Sequence, residues 1–259
     1  ILKYLVADHG VGMLTTVRNL VQVVAMLALT PFLGTGILRT KRPGLNMLRG
    51  LCLVATTVFI TLGLAELPMA KVYSITFSAP LIATLLAVAV LGERATWRQW
   101  VCIAAGFAGV LVALNPGGPS FGFAVLYPLA MASANAVFHV LTRLMRDEEP
   151  LALVFWAALM ALGFCVAALP WIYEPLTPRA WTLIVTGGLF GTLAHVLMAQ
   201  AFRRAPTAIV SPMVYTQIAW AALMGWLVFA EVPTPIVLAG AALVAGSGIA
   251  LVRWATPRP

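Results

Sequence analysis

Long apolar runs separated by short polar turns dominate the pattern of this chain. Each run approaches or exceeds the roughly 20 mostly apolar residues with which an α-helix crosses a bilayer. Charged side chains and turn residues fall mostly between the runs. The pattern therefore predicts an all-α polytopic membrane protein. The predicted spans are residues 11–34, 47–65, 68–91, 97–114, 121–143, 150–172, 179–202, 206–230 and 234–253.

The second half of the pattern repeats the first at an offset of 138 residues, without a gap. Pro68 and Glu93 have the identical partners Pro206 and Glu231, and both residue types are scarce within the apolar runs. In each copy, an apolar helix that carries a proline leads through a polar corner into a Gly/Ala-rich helix. The pattern therefore predicts two repeats within one membrane domain.

The predicted repeats, residues 1–116 and 117–259, become equal only if a further helix precedes the first residue. The run Ile1–Ala7 is too short to span, and the offset places the partner of the span at 121–143 before residue 1. This run has neither the basic leader nor the small-residue cleavage site of a signal peptide. We therefore expect ten transmembrane helices in the complete chain, five per repeat, with the first helix mostly absent from this sequence.

Basic residues fall on one side of this predicted topology. If the missing helix starts in the cytoplasm, 12 of the 16 lysines and arginines lie in cytoplasmic segments, which is the bias that orients membrane proteins. Both termini are then cytoplasmic. Because five helices is an odd number, the second repeat is inverted relative to the first. Many secondary transporters are built from inverted repeats, with the substrate site near the midplane where the copies meet.

Composition excludes several classes of protein. The chain is 62% hydrophobic and 9% charged, so a soluble globule of this length could not bury its apolar residues. The net charge of +8 reflects orientation signals, and we expect the lipid bilayer, not nucleic acid, as a partner. The three cysteines lie in apolar runs without paired spacing, and no nucleotide-binding or metal-binding motif occurs. We therefore expect no metal, no cofactor and no ATP-driven pump.

Several stretches resemble one known family. They are Tyr4-Leu5-Val6-Ala7-Asp8-His9-Gly10, Arg18, Ser78-Ala79-Pro80 and Leu91-Gly92-Glu93-Arg94, with Ser211-Pro212 and Ala230-Glu231 in the second copy. These stretches are similar to the EamA-type repeats of the drug/metabolite transporter superfamily, and most of all to bacterial aromatic amino acid exporters. The resemblance covers the whole chain. It implies ten helices in the bacterial inner membrane and export of small metabolites through a central cavity. A departure is Trp156, which stands where the offset would place a second Arg18.

Polar and aromatic residues inside the apolar helices are the candidates for a substrate site, because unpaired polar groups in hydrocarbon are expensive. Asn135 and His139 are four residues apart and so share a helical face. Tyr73, Phe77 and Tyr215 surround two prolines, where freed carbonyls could hold an ammonium group and rings could hold an apolar side chain or the cation. The predicted substrate-binding residues are Tyr73, Phe77, Asn135, His139, His195, Ser211, Tyr215 and Gln217.

These residues also have structural interpretations. The histidines could hydrogen-bond neighbouring helices, and Pro80 and Pro212 could simply bend their helices to fit. Histidines that titrate near neutral pH could couple transport to protons, but no midspan carboxylate supports that coupling. Glu93 and Glu231 stand at span ends. We interpret them as residues that cap helix ends at the two polar corners, and not as proton-binding sites.

Two further sets of residues are expected to shape the fold. Arg18 and Lys71 lie several residues inside spans, within snorkelling reach of the outer interface. Arg18 is interpreted as a stabilising residue, and Lys71 could attract a substrate carboxylate at the outer mouth. Close helix contact, either between the fourth and fifth helices of a repeat or in a dimer, is permitted by the small residues Gly106, Gly109, Gly240, Gly246 and Gly248. A monomer and a weak dimer both remain open.

These features favour a secondary transporter that exports small metabolites, most simply aromatic or large apolar amino acids, by alternating access between inverted halves. The alternatives are an exporter of other drugs or metabolites, a membrane-embedded enzyme acting on lipid, and a passive scaffold. An enzyme would need clustered acids, bases or metal ligands at one depth, whereas the carboxylates here lie mostly in loops. We therefore predict no enzymatic activity.

Overall fold

The computed structural model describes residues 1–91, 96–115, 122–145, 147–204 and 216–255. All regular structure in these ranges is helical. Short 3₁₀ turns precede two of the helices, at Thr35–Leu38 and Phe123–Val125. The α-helices are α1 (Leu2–Leu5), α2 (Val11–Ala28), α3 (Thr30–Leu33), α4 (Pro43–Glu66), α5 (Met69–Thr76), α6 (Ala79–Leu91), α7 (Trp97–Leu114), α8 (Leu126–Leu144), α9 (Pro150–Ile172), α10 (Pro178–Arg204), α11 (Thr216–Phe229) and α12 (Pro235–Ala255).

Eight segments of the described chain are long and apolar enough to cross a membrane. They are Val11–Phe32, Pro43–Glu66, Met69–Val90, Trp97–Leu114, Phe123–Leu144, Pro150–Ile172, Pro178–Met198 and Pro235–Trp254. Helix α11 is a shorter apolar helix, with 14 described residues. Each predicted span therefore contains an observed helix, and the prediction of an all-α polytopic membrane protein is confirmed.

Prolines explain two differences between the predicted and observed helix starts. Helix α4 begins at Pro43, ahead of the predicted residue 47, and α10 begins at Pro178. A proline suits the first turn of a helix, because its missing N–H would have had no partner there. The polar Asn46 in the first turn of α4 hid this start from the hydrophobic pattern.

The chain forms two compact units, and each unit takes segments from both predicted repeats. The first unit holds Ile1–Ala65 and Val137–Ala201, and the second holds Glu66–Ala136 and Phe202–Pro259. Within the units, helices related by the repeat offset pack on each other: α2 packs on α9, and α7 packs on α12. These pairings support our proposal that the two halves of the chain are related copies.

Helix α2 organises the first unit because its buried face serves two apolar clusters. Near its start, Leu14 belongs to a cluster that includes Ile184 of α10. Near its end, Met26 belongs to a cluster that includes Phe155 of α9. All four of these side chains are at most 4% exposed, so α2 is held by α10 at one end and by α9 at the other.

Glycines build the α7–α12 contact in the second unit. A Cβ atom on Gly240 would lie 2.6 Å from the backbone nitrogen of Ala113 and 2.7 Å from the carbonyl oxygen of Gly109. A Cβ atom on Gly109 would lie 2.9 Å from the backbone nitrogen of Val244. These glycines therefore pack the last helices of the two predicted repeats on each other.

Gly106 makes the other glycine contact of α7. A Cβ atom there would collide with Leu81 of α6 and would lie 2.6 Å from Ser247 Oγ of α12. The expected packing of the fourth helix on the fifth is therefore found at Gly106. The prediction was incomplete for Gly109 and Gly240, because local sequence does not reveal that these two helices become neighbours. It was wrong for Gly246, since no atom lies within 4 Å of a Cβ atom there.

Candidate functional site

The span Met69–Val90 is broken near its middle. Helix α5 ends at Thr76, and α6 starts after a turn formed by Phe77 and Ser78. Pro80 accounts for this break, since it has no N–H to donate to the carbonyl of Thr76. The eight residues of α5 rise about 12 Å, so the turn lies well inside a hydrocarbon core of about 30 Å.

At the turn, two backbone carbonyls lose the N–H donors that a continuous helix would provide. The Ser78 N–H donates to the Ile75 carbonyl at 3.0 Å, and so not to the carbonyl of Ser74 as a continuous helix would require. The carbonyl of Thr76 faces the proline position, where no donor exists. The C-terminal end of α5 therefore directs partial negative charge into the membrane interior. Broken helices of this kind hold substrates and ions in secondary transporters.

Two hydroxyl groups at the turn differ from others in the spans. The hydroxyls of Thr15, Thr84 and Thr192 each donate to a carbonyl four residues earlier, at 2.7–2.9 Å. Thr76 and Ser78 are 7% and 0% exposed, and their hydroxyl oxygens have no hydrogen-bond partner. A buried hydroxyl without a partner costs about 1–3 kcal/mol. The turn therefore holds two unsatisfied polar groups.

Two aromatic rings flank the same turn. Tyr73 is half-buried on α5 and Phe77 is buried in the turn. Their ring centroids lie 6.4 Å apart with an interplanar angle of 32°, within the range of favourable aromatic pairs. An apolar surface therefore stands beside the polar atoms of the break.

A cavity of about 280 Å³ lies beside α5 in the second unit. Helices α5, α11 and α12 line it, mostly with alanine side chains. Ser74 is the polar residue in this lining, but its hydroxyl donates to the Ala70 carbonyl at 2.6 Å. Ser74 lines the cavity and Ser78 lies in the turn, four residues later. The cavity is therefore about one helical turn from the break, and it could hold an apolar group.

Three of the other predicted binding residues lie on α8 and α10. Asn135 is half-buried and His139 is exposed, and the boundary between the compact units falls between them on α8. His195 is half-buried on α10, in the first unit. The prediction that these residues line one cavity stays a prediction.

The remaining predicted binding residues are Ser211, Tyr215 and Gln217. Gln217 is exposed at the start of α11. Ser211 and Tyr215 lie outside the described residues, as does Glu93. Of the predicted set, the structure therefore places Tyr73 and Phe77 together at the break.

The two cations inside spans are both engaged with the fold. Arg18 Nη1 donates to Thr57 Oγ1 at 2.7 Å, which ties α2 to α4 and agrees with a stabilising role. Lys71 is 3% exposed on α5. It is therefore buried, and is not displayed at an open outer mouth.

Sequence reasoning missed a buried arginine in the first unit. Arg49 of α4 is 1% exposed, and its Nη1 donates to Asn46 Oδ1 and to the Leu153 carbonyl, both at 2.8 Å. Its Nε donates to Thr142 Oγ1 at 3.2 Å, and its guanidinium carbon lies 4.5 Å from the centroid of the Phe138 ring. Arg49 therefore joins α4 to α8 and α9. From the sequence, Arg49 was one of the 12 basic residues assigned to cytoplasmic segments, and its buried contacts were not predicted.

Hydrogen bonds extend this contact to the segment before α4. Asn46 Nδ2 donates to Thr40 Oγ1 at 2.8 Å, and Thr40 Oγ1 donates to Glu148 Oε2 at 2.7 Å. Glu148 Oε1 accepts from the Lys41 N–H at 3.2 Å. A continuous polar network thus fastens the start of α4 to the loop between α8 and α9.

Glu231 caps a helix. Its Oε2 accepts from the N–H of Met69, the first residue of α5, at 2.9 Å. Pro68, which precedes α5, makes no side-chain cap. The carboxylate therefore satisfies a donor at the positive end of the α5 dipole. Glu231 is therefore a capping residue, but the predicted position of the cap was wrong, because the capped helix is α5 and not the corner in which Glu231 stands.

A carboxylate outside the spans joins the segments that flank α2 and α9. Glu174 Oε2 accepts from the Gly10 N–H at 2.8 Å, and Glu174 Oε1 lies 3.1 Å from His9 Nδ1. The hydrogen bond from Gly10, followed by that from His9, lowers the pKa of Glu174 below its ordinary value. The charged carboxylate is therefore the form that the fold prefers.

We expect this contact to stabilise the protein at neutral pH and to weaken in acid. Because the folded-state pKa of Glu174 is lowered, its contribution is complete above the ordinary value of about 4.3 and is lost as the pH falls through the lower folded value. Thermal unfolding of wild type and Glu174→Gln, followed from neutral pH to about pH 3, measures this loss. The difference between the two proteins should shrink with falling pH. A difference that stays constant would contradict the prediction.

Comparisons with known proteins identify what the chain is similar to. The model of the EamA-like transporter family matches residues 1–115 and 122–254. An S-adenosylmethionine uptake transporter of Rickettsia bellii is 28% identical over 224 residues, which cover 85% of this chain and 76% of that protein. A riboflavin transporter of Vibrio cholerae is 28% identical over 251 residues, covering 94% and 84%. A pseudopaline exporter of Pseudomonas aeruginosa is 26% identical over 221 residues, covering 82% and 77%.

One solved crystal structure shares the fold. It superposes with a TM-score of 0.67 and covers 96% of this chain and 92% of that chain. Its sequence identity of 18% is low, so this likeness concerns the fold alone.

Proposed function

The chain belongs to the EamA-like transporter family, and from this we propose that it exports amino acids with aromatic or large apolar side chains across the bacterial inner membrane. It is a multi-pass membrane transporter of a small molecule and not an enzyme. The choice of amino acids and the outward direction are our proposal. We further propose alternating access between inverted repeats at residues 1–116 and 117–259, with both termini in the cytoplasm.

The break between α5 and α6 is the observation that supports an amino acid as the proposed substrate. The ammonium group of an amino acid must exchange its hydration shell for protein oxygen atoms on entering the membrane. Thr76 and Ser78 place unsatisfied hydroxyls at the α5–α6 turn, beside the negative end of the α5 dipole. Tyr73 and Phe77 add rings next to these atoms, where an apolar or aromatic side chain can pack.

The relatives support a cargo that combines such groups. S-adenosylmethionine, named for the relative in Rickettsia bellii, carries an α-amino acid group and an aromatic base. Riboflavin, named for the relative in Vibrio cholerae, carries a fused aromatic ring system. The names include both uptake and export, so we base export on the resemblance of this sequence to aromatic amino acid exporters. A second candidate function is transport of an aromatic cofactor-like metabolite.

The proposed binding residues draw on both repeats. Tyr73 and Phe77 are proposed because their rings pair at the break. The other residues are proposed because they are polar or aromatic and lie in the middle of predicted spans. We propose a monomer or a weak dimer, with one chain supplying the whole pathway, since both predicted repeats are present in one chain. The proposed set is Tyr73, Phe77, Asn135, His139, His195, Ser211, Tyr215 and Gln217.

Purified protein in liposomes should move labelled phenylalanine without ATP. Unlabelled phenylalanine and methionine should compete better than aspartate, because two rings flank the break and alanines line the cavity farther along α5. Tyr73→Ala and Phe77→Ala should each lower the initial rate about tenfold, which corresponds to about 1.4 kcal/mol of lost aromatic contact.

Phe123→Ala is the matched control, since Phe123 is 88% exposed and lies before α8. It should transport like the wild type. Flux of riboflavin or S-adenosylmethionine in place of every amino acid tried would favour the second candidate. If aspartate competes best, or if the two ring variants transport normally while folded, the amino acid proposal is wrong.

A further inference from the structure

We propose that the turn between α5 and α6 binds a compact monovalent cation. Two sources share this chemistry: the ammonium group of the substrate and a coupling ion such as Na⁺. The first source rests on the proposed function, whereas the second requires only that the protein is a transporter. The site lies entirely within the second compact unit.

The Thr76 hydroxyl is the first observation. A threonine in a helix ordinarily donates to the carbonyl four residues earlier, and on α5 the neighbouring Ser74 does so, at 2.6 Å from the Ala70 carbonyl. The corresponding carbonyl for Thr76 is that of Val72. The buried Thr76 hydroxyl nevertheless has no partner. Its oxygen is therefore available to a group that does not belong to α5.

The Ser78 hydroxyl is the second observation. The Ser78 carbonyl already accepts from the Leu81 and Ile82 N–H groups, at 2.9 and 3.0 Å, so it is committed to the start of α6. The Ser78 side chain is fully buried, and its hydroxyl has no partner. Ser78 can therefore contribute its hydroxyl oxygen to a ligand without disturbing the backbone of the turn.

The partial negative charge at the end of α5 favours a cation, and the nearby lysine favours a singly charged one. Helix α5 ends at this turn, and the carbonyl of Thr76 lies at the negative end of its dipole. Hydroxyl and carbonyl oxygens suit Na⁺ and ammonium, whereas divalent ions in proteins call for carboxylates. The span Met69–Val90 contains no carboxylate, and Lys71 stands five residues before Thr76. A divalent ion would meet twice the repulsion from this lysine.

The turn is also anchored in place. Leu81, at the start of α6, belongs to an apolar cluster with Cys102 and Ile103 of α7 and Leu251 of α12. Leu81 itself is fully buried. Because the residues after the break are held by two neighbouring helices, the turn does not have to be ordered when a cation binds.

Thermal unfolding of the full chain in detergent tests the site without any amino acid. Unfolding is compared at equal concentrations of sodium chloride, methylammonium chloride and N-methylglucamine chloride, whose cation is far bulkier than the other two. Sodium or methylammonium should raise the midpoint by about 3 °C over N-methylglucamine, because a ligand that binds only the folded state stabilises it. Thr76→Val and Ser78→Ala should each abolish that rise.

Thr84→Val is the matched control, because the Thr84 hydroxyl donates to the Pro80 carbonyl at 2.9 Å. It removes a hydroxyl from the same span and should retain the salt effect. Thr76→Ser, which restores a hydroxyl, should retain it as well. These two variants separate loss of a ligand from loss of packing.

The outcome assigns the source of the cation. A rise with methylammonium alone assigns the site to the substrate, a rise with sodium alone assigns it to a coupling ion, and both together mark an unselective cation site. Equal midpoints of the wild type in all three salts overturn the proposal even if the variants fail to fold. A rise that persists in both Thr76→Val and Ser78→Ala also overturns it. Absence of amino acid flux in liposomes would refute the proposed cargo and leave this result standing.

Discussion

Gly240→Ala should sharply reduce the amount of folded protein. The added methyl group would lie 2.6 Å from the Ala113 nitrogen and 2.7 Å from the Gly109 carbonyl oxygen. Both atoms belong to the backbone of α7, so relief requires α7 and α12 to separate along their contact. Overpacking of this kind costs about 1–3 kcal/mol or more, and the contact with rigid backbone places this site at the upper end. Fluorescence-detected gel filtration of membrane extracts measures the folded yield.

Gly246→Ala supplies the control on the same helix. No atom lies within 4 Å of a Cβ atom at Gly246, and alanine has the higher helix propensity. This variant should therefore equal the wild type or exceed it slightly. If Gly240→Ala and Gly246→Ala give equal yields and equal unfolding midpoints, the close α7–α12 contact is wrong.

Arg49→Met should destabilise the first unit by roughly 3 kcal/mol, because a buried acceptor left without its donor costs about 1–3 kcal/mol. Asn46 Oδ1, Thr142 Oγ1 and the Leu153 carbonyl would lose a donor, in a place where water cannot replace it. The stacking on Phe138 would be lost as well. The free energy of unfolding in denaturant, or the thermal midpoint in detergent, measures the effect.

Two substitutions make this test specific. Arg39→Met removes an exposed arginine just before the same helix and should change stability by less than about 0.5 kcal/mol. Arg49→Lys keeps the charge but lacks the planar fork of donors, so its stability should fall between those of wild type and Arg49→Met. A fully stable Arg49→Met protein would show that the network contributes nothing to the fold.

The spans could be predicted from the sequence because their signal is local. A run long enough and apolar enough to cross hydrocarbon is read from neighbouring residues alone, and α7 and α9 occupy the predicted residues 97–114 and 150–172. The break at Pro80 was also predictable, since the lack of an N–H is a property of one residue.

Contacts between distant residues could not be predicted in this way. Glu231 reaches Met69 across 162 residues, and Arg49 reaches Leu153 across 104 residues. The spacing along the sequence carries no sign of either contact. The hydroxyl of Thr76 is a subtler case, because the sequence alone suggests the ordinary bond to its own helix. Only its surroundings reveal that this bond is absent.

The predicted repeats and the observed compact units divide the chain at different places. The predicted repeats divide the chain near residue 116, whereas packing divides it within α8 and groups Ile1–Ala65 with Val137–Ala201. Periodicity reports which segments are related. It does not report which of them become neighbours, since that depends on side-chain shapes such as the glycine contact between α7 and α12.

The interleaving of the two units has a consequence for biosynthesis. Helix α2 is made early, but its partner α9 follows only after Glu66–Ala136 has left the ribosome. Likewise, α7 cannot pack on its partner until α12, the last described helix, has been made. The early helices must therefore sit in lipid, or against the insertion machinery, with their packing faces uncovered. A nascent chain that stalls before Pro235 would leave the glycine face of α7 unmatched, in a form that membrane quality control can recognise and degrade.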